Sequence, residues 1–285
     1  MGAFINISTD DLRKRIWCPA INEIFHATKS RVIAESDDVS VQIKLANADR
    51  VWLRYKLRDR RFDGPGWKGS PLTDWTYGGA DDVFPFGSAV EESIYCLDPR
   101  YPLTDAFTAR QAQFITNPFE ELPYSNPTKD ALSDWFRRWQ EIVNKNNVPY
   151  PGYFYLNNIP GVRRYVHENI TVLLKEKGYK YLTAVPTWWH TARICAHLGF
   201  VFQCEEDELV IDKLNTRLNF STKEECARSS WIVMLQFWVE LVCGAGFSLS
   251  EDFPEAVSLV LRDERGAHLT FPLSPQRNLW LNYKI

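Results

Sequence analysis

Residues 152–214, GYFYLNNIPGVRRYVHENITVLLKEKGYKYLTAVPTWWHTARICAHLGFVFQCEEDELVIDKL, carry a strand, a helix, a strand, a helix and a hairpin in that order. The first eight residues, GYFYLNNI, are aromatic-rich and read as a strand. Pro160-Gly161 then opens a helix over 162–177, with Val166, Ile170, Leu173 and Leu174 at helical spacing and Gly178 at the position that closes it. YKYLTAV (179–185) reads as the next strand, and Pro186-Thr187 breaks it. A second helix over 188–198 stops at Gly199. Residues 200–204 and 208–214 are expected to pair antiparallel across the polar turn Glu205-Glu206-Asp207. A strand-helix-strand unit sets its strands parallel through a right-handed crossover, and a hairpin adds antiparallel neighbours. The fold class that follows is α/β: a mixed central sheet flanked by helices.

Outward from this segment the pattern is consistent with the same class. Residues 9–28 follow an N-cap cluster and read as one or two short helices interrupted by Pro19. Between 39 and 57 apolar and polar residues alternate in two runs, a hairpin of two strands. Residues 59–88 are rich in Gly and Pro and hold Trp67 and Trp75, so they read as a long loop. A strand over 91–97, a helix over 106–115 and an amphipathic helix over 128–144 lead into the central segment. Beyond it come a helix from Thr222 to about Val242, a hairpin over 257–271 and a last strand over 279–283. These divide the chain into 1–214, holding the sheet, and 215–285, an accessory part of helix and strands that either forms a small second domain or completes the first.

Of the 285 residues, 33 are Lys or Arg and 36 are Asp or Glu, a net charge of −3 that supplies no global field for a nucleic-acid backbone. The six cysteines include no C-x-x-C pair, which argues against a structural zinc site and for reduced thiols, hence a cytoplasmic protein without a resident metal. The most apolar run, 231–247, is short for a span and holds Gln236 and Glu240, so it reads as a buried helix and no membrane partner is expected. P-loop, Rossmann, H-E-x-x-H and G-x-S-x-G patterns are all missing, which disfavours the chemistries they serve.

Residues 152–214 resemble the GNAT superfamily of acyl-CoA-dependent N-acyltransferases, most specifically in ARICAHLGF (192–200), a helix ending in Leu-Gly-Phe before a strand. The strand 179–185 and the hairpin after it fall where that family places its fifth, sixth and seventh strands. The resemblance implies acetyl-CoA or another acyl-CoA as donor and an amine, small or macromolecular, as acceptor. The family's pyrophosphate loop joins a strand to the N-terminus of the next helix, where exposed N–H groups and the helix dipole receive phosphates. Here that place holds Asn158, Ile159, Gly161, Val162, Arg163 and Arg164. Gly161 keeps the family pattern; Arg163 stands where a second small residue is usual, and both arginines can supply charge directly.

For the proton donor, the family's usual Tyr is replaced by Cys195, which reads either as a thiol donor or as a core residue. His190 on the same helix is a second acid or base candidate. The family's base is a carboxylate on or near the fourth strand, which points to Glu91, Glu92 and Asp98 on the preceding strand and turn. Trp188, Trp189 and Trp75 are candidates for an aromatic acceptor pocket, with one of the adjacent pair Trp188 and Trp189 expected in the core. Tyr153, Tyr155 and Asn157 either orient the acceptor or pack the sheet.

Two other functions fit the same fold. One is a GNAT-like enzyme acting on a nucleobase or other macromolecule, suggested by Arg54, Lys56, Arg58, Arg60 and Arg61 beside Trp52, Tyr55 and Phe62. The other is a catalytically silent binding module.

Overall fold

The structure is a computed structural model and describes residues 6–37, 40–47, 50–59, 88–95, 108–152, 161–271, 279 and 281–285. Its seven strands are β1 (Arg31–Ser36), β2 (Ser40–Asn47), β3 (Arg50–Asp59), β4 (Ser88–Tyr95), β5 (Tyr181–Ala184), β6 (Val201–Phe202) and β7 (Leu281–Lys284). They form one mixed α/β sheet in the order β1-β2-β3-β4-β5-β7-β6. An antiparallel block, β1 to β4, and an antiparallel block, β5-β7-β6, are joined by a single parallel pairing of β4 with β5.

The β2–β3 hairpin follows from its alternation. Val41, Ile43 and Leu45 on β2 face Leu57, Tyr55 and Leu53 on β3 in register, and all six are fully or almost fully buried. β1 was not expected: only Val32 and Ile33 are strongly apolar in it, and as an edge strand it is mostly exposed. Helices α1 (Thr9–Ile16) and α2 (Pro19–Ala27) precede it. α1 begins with a capping box in which Ser8 and Asp11 exchange hydrogen bonds, and these hold the Asp11 carboxyl below its ordinary range. It packs on β2 and on α5 (Val162–Glu176).

A second helical group comprises α3 (Ala109–Thr116), α4 (Lys129–Val143), α6 (Trp189–His197) and α8 (Lys223–Gly244). α8 contains most of the 231–247 run and is buried almost all round, the expected outcome for a helix apolar on every face. Its contact with α4 is a stack of indoles and phenyls. Trp135 lies 6.1 Å from Trp238, Phe136 lies 4.9 Å from Trp238, and Trp231 lies 5.7 Å from Phe114 on α3. Each of these indole N–H groups reaches a backbone carbonyl: Trp135 that of Pro118, Trp139 that of Trp231, Trp231 that of Pro149, and Trp238 that of Leu132. A buried indole needs such a partner, and here the tryptophans serve as core.

Four expectations are corrected. Residues 205–214 belong to a helix, α7 (Glu205–Leu218), instead of a strand, and its first turn holds Glu205, Glu206, Asp207 and Glu208. Acidic residues favour a helix N-terminus, so the polar run taken as a turn is the start of that helix. The hairpin at 257–271 reduces to one bridge, Arg262 with His268, closed by the Asp263 carboxylate accepting from the backbone N–H groups of Arg265 and Ala267. Residues before it form a short 3-10 helix, Pro254–Leu259, after α9 (Leu249–Asp252). The division at 214/215 falls inside α7, and β7 enters the sheet between β5 and β6, so the last residues complete the sheet. Finally, the parallel neighbour of β5 is β4. Both edges of β5 are taken over the same four residues, by β4 and by β7, and residues 153–159 of the expected strand lie outside the described residues.

Candidate functional site

The parallel pair β4–β5 determines where a site can lie. In open α/β sheets ligands bind beyond the carboxyl ends of parallel strands, where helix N-termini converge. β5 pairs with β4 from Ser88↔Tyr181 to Glu91↔Ala184 and then turns away into α6. β4 continues to Tyr95 against β3. Along residues 92–95 the other edge of β4 has no strand partner among the described residues. Glu91 is the last β4 residue paired with β5, and Glu92, opposite Lys56 of β3, is the first beyond it.

The N-terminus of α5 is one of the helix starts to consider here. Gly161 sits at its N-cap with φ 76°, a left-handed conformation that a side chain would strain, and a Cβ there would meet nothing within 4 Å. α5 has no side-chain cap and no acidic residue in its first turn, whereas α1, α3 and α8 each begin with a capping box. Its first N–H groups are therefore without the side-chain acceptors that those helices use. Val162 is buried, Arg163 is half-buried and Arg164 is exposed.

α6 also starts without a side-chain cap, at Trp188. The Trp188 ring stacks on Phe119 at 4.8 Å and lies against Gly152, where a Cβ would come within 2.5 Å of the indole Nε1. Gly152 has φ 84° and donates its N–H to the Ile115 carbonyl, so a bare Cα is required on two counts. Trp189 is 2% exposed and its indole N–H finds no acceptor among the described residues. The adjacent pair therefore divides into one core and one half-buried ring. Arg193, one turn on, lays its guanidinium over Phe220 at 3.9 Å and over Trp189 at 5.1 Å, and donates Nη1–H to the Cys226 thiol at 3.2 Å.

His190 is buried between these groups. Its ring centroid is 4.6 Å from that of Tyr150 and 6.5 Å from that of Trp188. Burial, then the charges of Arg163 and Arg193, push the imidazole well below its ordinary pKa, so it is neutral at physiological pH. A group already deprotonated is a poor general acid; what it offers is a lone pair and one N–H.

The structure thus brings Arg163 and His190 together with Trp188 and Trp189. Cys195 is a half-buried thiol further along α6, packed against the core. Asp98, Tyr153, Tyr155, Asn157, Asn158, Ile159 and Trp75 lie outside the described residues. In the strip considered for nucleic acid, Trp52 is 1% exposed and donates to Ser30, Tyr55 is fully buried, and Arg58 is 4% exposed. Arg60, Arg61 and Phe62 lie outside the described residues. Sequence reasoning passed over Arg193, Tyr150 and Phe119. Arg193 lies four residues after Trp189, a helical spacing that would have signalled it; nothing local marked the other two.

Among the described residues no group of His, Cys, Asp and Glu is placed to hold a metal ion, and no helix is long and apolar enough to cross a membrane. Comparison with protein-family models, with curated proteins and with solved structures found no match.

Proposed function

We propose that the chain is an acyl-CoA-dependent N-acyltransferase of the GNAT type. The observation that carries this reading is the parting of β4 from β5 after Glu91 and Ala184, with β4 alone continuing to Tyr95. In the family it resembles, the fourth and fifth strands splay, and N–H groups on them face the reacting carbonyl. The uncapped, left-handed start of α5 fits the phosphate end of the donor. Its amides supply donors and the positive end of a helix dipole, and Arg163 and Arg164 add charge.

A bound thioester would supply an activated acyl carbon to an amine. The chain's own groups position that encounter. The backbone N–H and C=O groups of β4 beyond Glu91 offer an extended edge along which an elongated donor can lie, as a strand would. His190, neutral beside two arginines, can take a hydrogen-bonding role without acting as an acid toward the amine. Glu92 occupies the first β4 position past the parting, where a base for the amine proton is needed.

Thermal melts with CoA and with acetyl-CoA test the reading. Ligand at about a hundred times its dissociation constant adds about 2.7 kcal/mol of stability, a shift of several degrees. Wild type is expected to show the shift. Gly161→Trp, which fills the mouth of α5, and Arg163→Glu, which reverses its charge, are expected to lose it while keeping a cooperative melt. Absence of a shift in wild type contradicts the proposal.

A further inference from the structure

We propose that the outer edge of β1 is a self-complementary surface on which a second copy of this chain pairs antiparallel, joining the two sheets about a two-fold axis through Ile33.

Among the described residues β1 ends the sheet, and Arg31, Ala34, Glu35 and Ser36 are exposed. Such an edge is a template for another strand unless something blunts it. The hydrogen-bond phase fixes which groups are offered. Asp37 N–H donates to the Ser40 carbonyl, one pair beyond Ser36↔Val41, and the β1–β2 register runs without a shift from there to Arg31↔Ala46. Narrow pairs alternate along an antiparallel ladder, so Arg31, Ile33 and Glu35 direct their N–H and C=O groups at β2. Val32, Ala34 and Ser36 direct theirs outward.

A second strand must meet these outward groups with outward groups of its own. Pairing symmetrically about Ile33 does so: Val32 meets the copy's Ala34, and Ala34 its Val32, which closes four backbone hydrogen bonds. The same register sets Ile33 against Ile33 and Arg31 against Glu35 twice. Shifting by one outward residue toward the hairpin places Ile33 against Glu35 and Arg31 against Asp37, whose carboxylate already accepts from Ser40, and shifting again places Glu35 against Glu35. The first shift forfeits the contact of Ile33 with its copy and the second sets like charges directly opposite, which is destabilising, so the register about Ile33 is the favoured one.

The side chains are disposed for it. Arg31 makes no ion pair among the described residues. Glu35 accepts from Lys44 at 3.0 Å and from Gln42 at 2.5 Å, both through Oε2. On the other face Val32 packs against the core and meets only Ala34 of the copy.

The test is analytical ultracentrifugation of the full chain and of charge-swapped variants at low ionic strength. Wild type is expected to dimerise with rising concentration. Arg31→Glu and Glu35→Arg, each alone, set like charges opposite twice, and dimerisation is expected to weaken by about tenfold or more. Mixing the two variants restores opposite charges at both positions and is expected to give a heterodimer of wild-type strength. Ala34→Pro removes an outward N–H without touching the β1–β2 ladder, and is expected to give a folded monomer even if Glu35→Arg, beside Lys44, fails to fold. A wild type that stays monomeric at about 100 μM overturns the proposal, since edge pairs of this size are weak but reach that range. A dimer that survives Ala34→Pro overturns it equally.

Discussion

In the α4–α8 cluster each of the four indoles donates its N–H to a backbone carbonyl, whereas at the start of α6 the Trp189 N–H is buried beneath a guanidinium without an acceptor among the described residues. In the first cluster all four of these indole N–H groups are satisfied. The second concentrates a neutral buried histidine and two arginines, Arg163 and Arg193. Unsatisfied polar groups cost stability, and chains retain them where a site needs them. The contrast separates tryptophans that hold the fold from those that shape the cleft.

Breaking the satisfied cluster is expected to cost most. Trp231→Ala removes a fully buried ring, its stack on Phe114 and its hydrogen bond to Pro149, a loss of about 4 kcal/mol in urea unfolding. Trp188→Ala, at a half-buried ring, is expected to cost well under half as much. Equal losses would erase the distinction.

Gly152→Ala tests the close approach of the backbone to Trp188. A Cβ at φ 84° and 2.5 Å from the Trp188 indole is strained on both counts, so a cost of about 2–3 kcal/mol is expected. Displacement of Trp188 should alter its fluorescence; an unchanged spectrum with full stability would contradict the close approach.

His190 sharpens the contrast through pH. Its folded pKa is depressed, so the unfolded chain takes up the proton first as pH falls. The stability it contributes is full above the unfolded value near 6.5 and is lost as pH falls below it. One such group changes stability by about 1.4 kcal/mol per pH unit over that window. His167 and His268 are depressed in the same direction, so His190→Gln is expected to flatten the acid limb by one group's share. An unaltered slope between pH 6.5 and 5 would refute it.

The smallest effect belongs to the capped helices. Thr222→Ala removes the box that starts α8 and is expected to cost about 1 kcal/mol without altering ligand binding, because that helix end is closed by its own side chains.

The sheet's central elements were legible because their periods are local. The alternation of 41–57, the helical spacing of 162–177 and the stops at Gly178 and Gly199 each follow from neighbours within a few residues. The elements that escaped depend on distance. β1 is an exposed edge with little apolar pattern, and β7 inserts beside β5 across almost a hundred residues. α7 was misread because the acidic residues of a helix start resemble those of a turn. At the site, Gly161, His190 and the Trp188-Trp189 pair stand out by residue type. Tyr150 and Phe119 are recruited from other segments, and no local signal announces such contacts.

Amide hydrogen exchange with and without acetyl-CoA tests the central claim most directly. Binding at the parting of β4 and β5 should slow exchange at residues 92–95 and at 161–164, and leave the α4–α8 cluster unchanged. Binding that protects some other segment, or no protection anywhere, would contradict it.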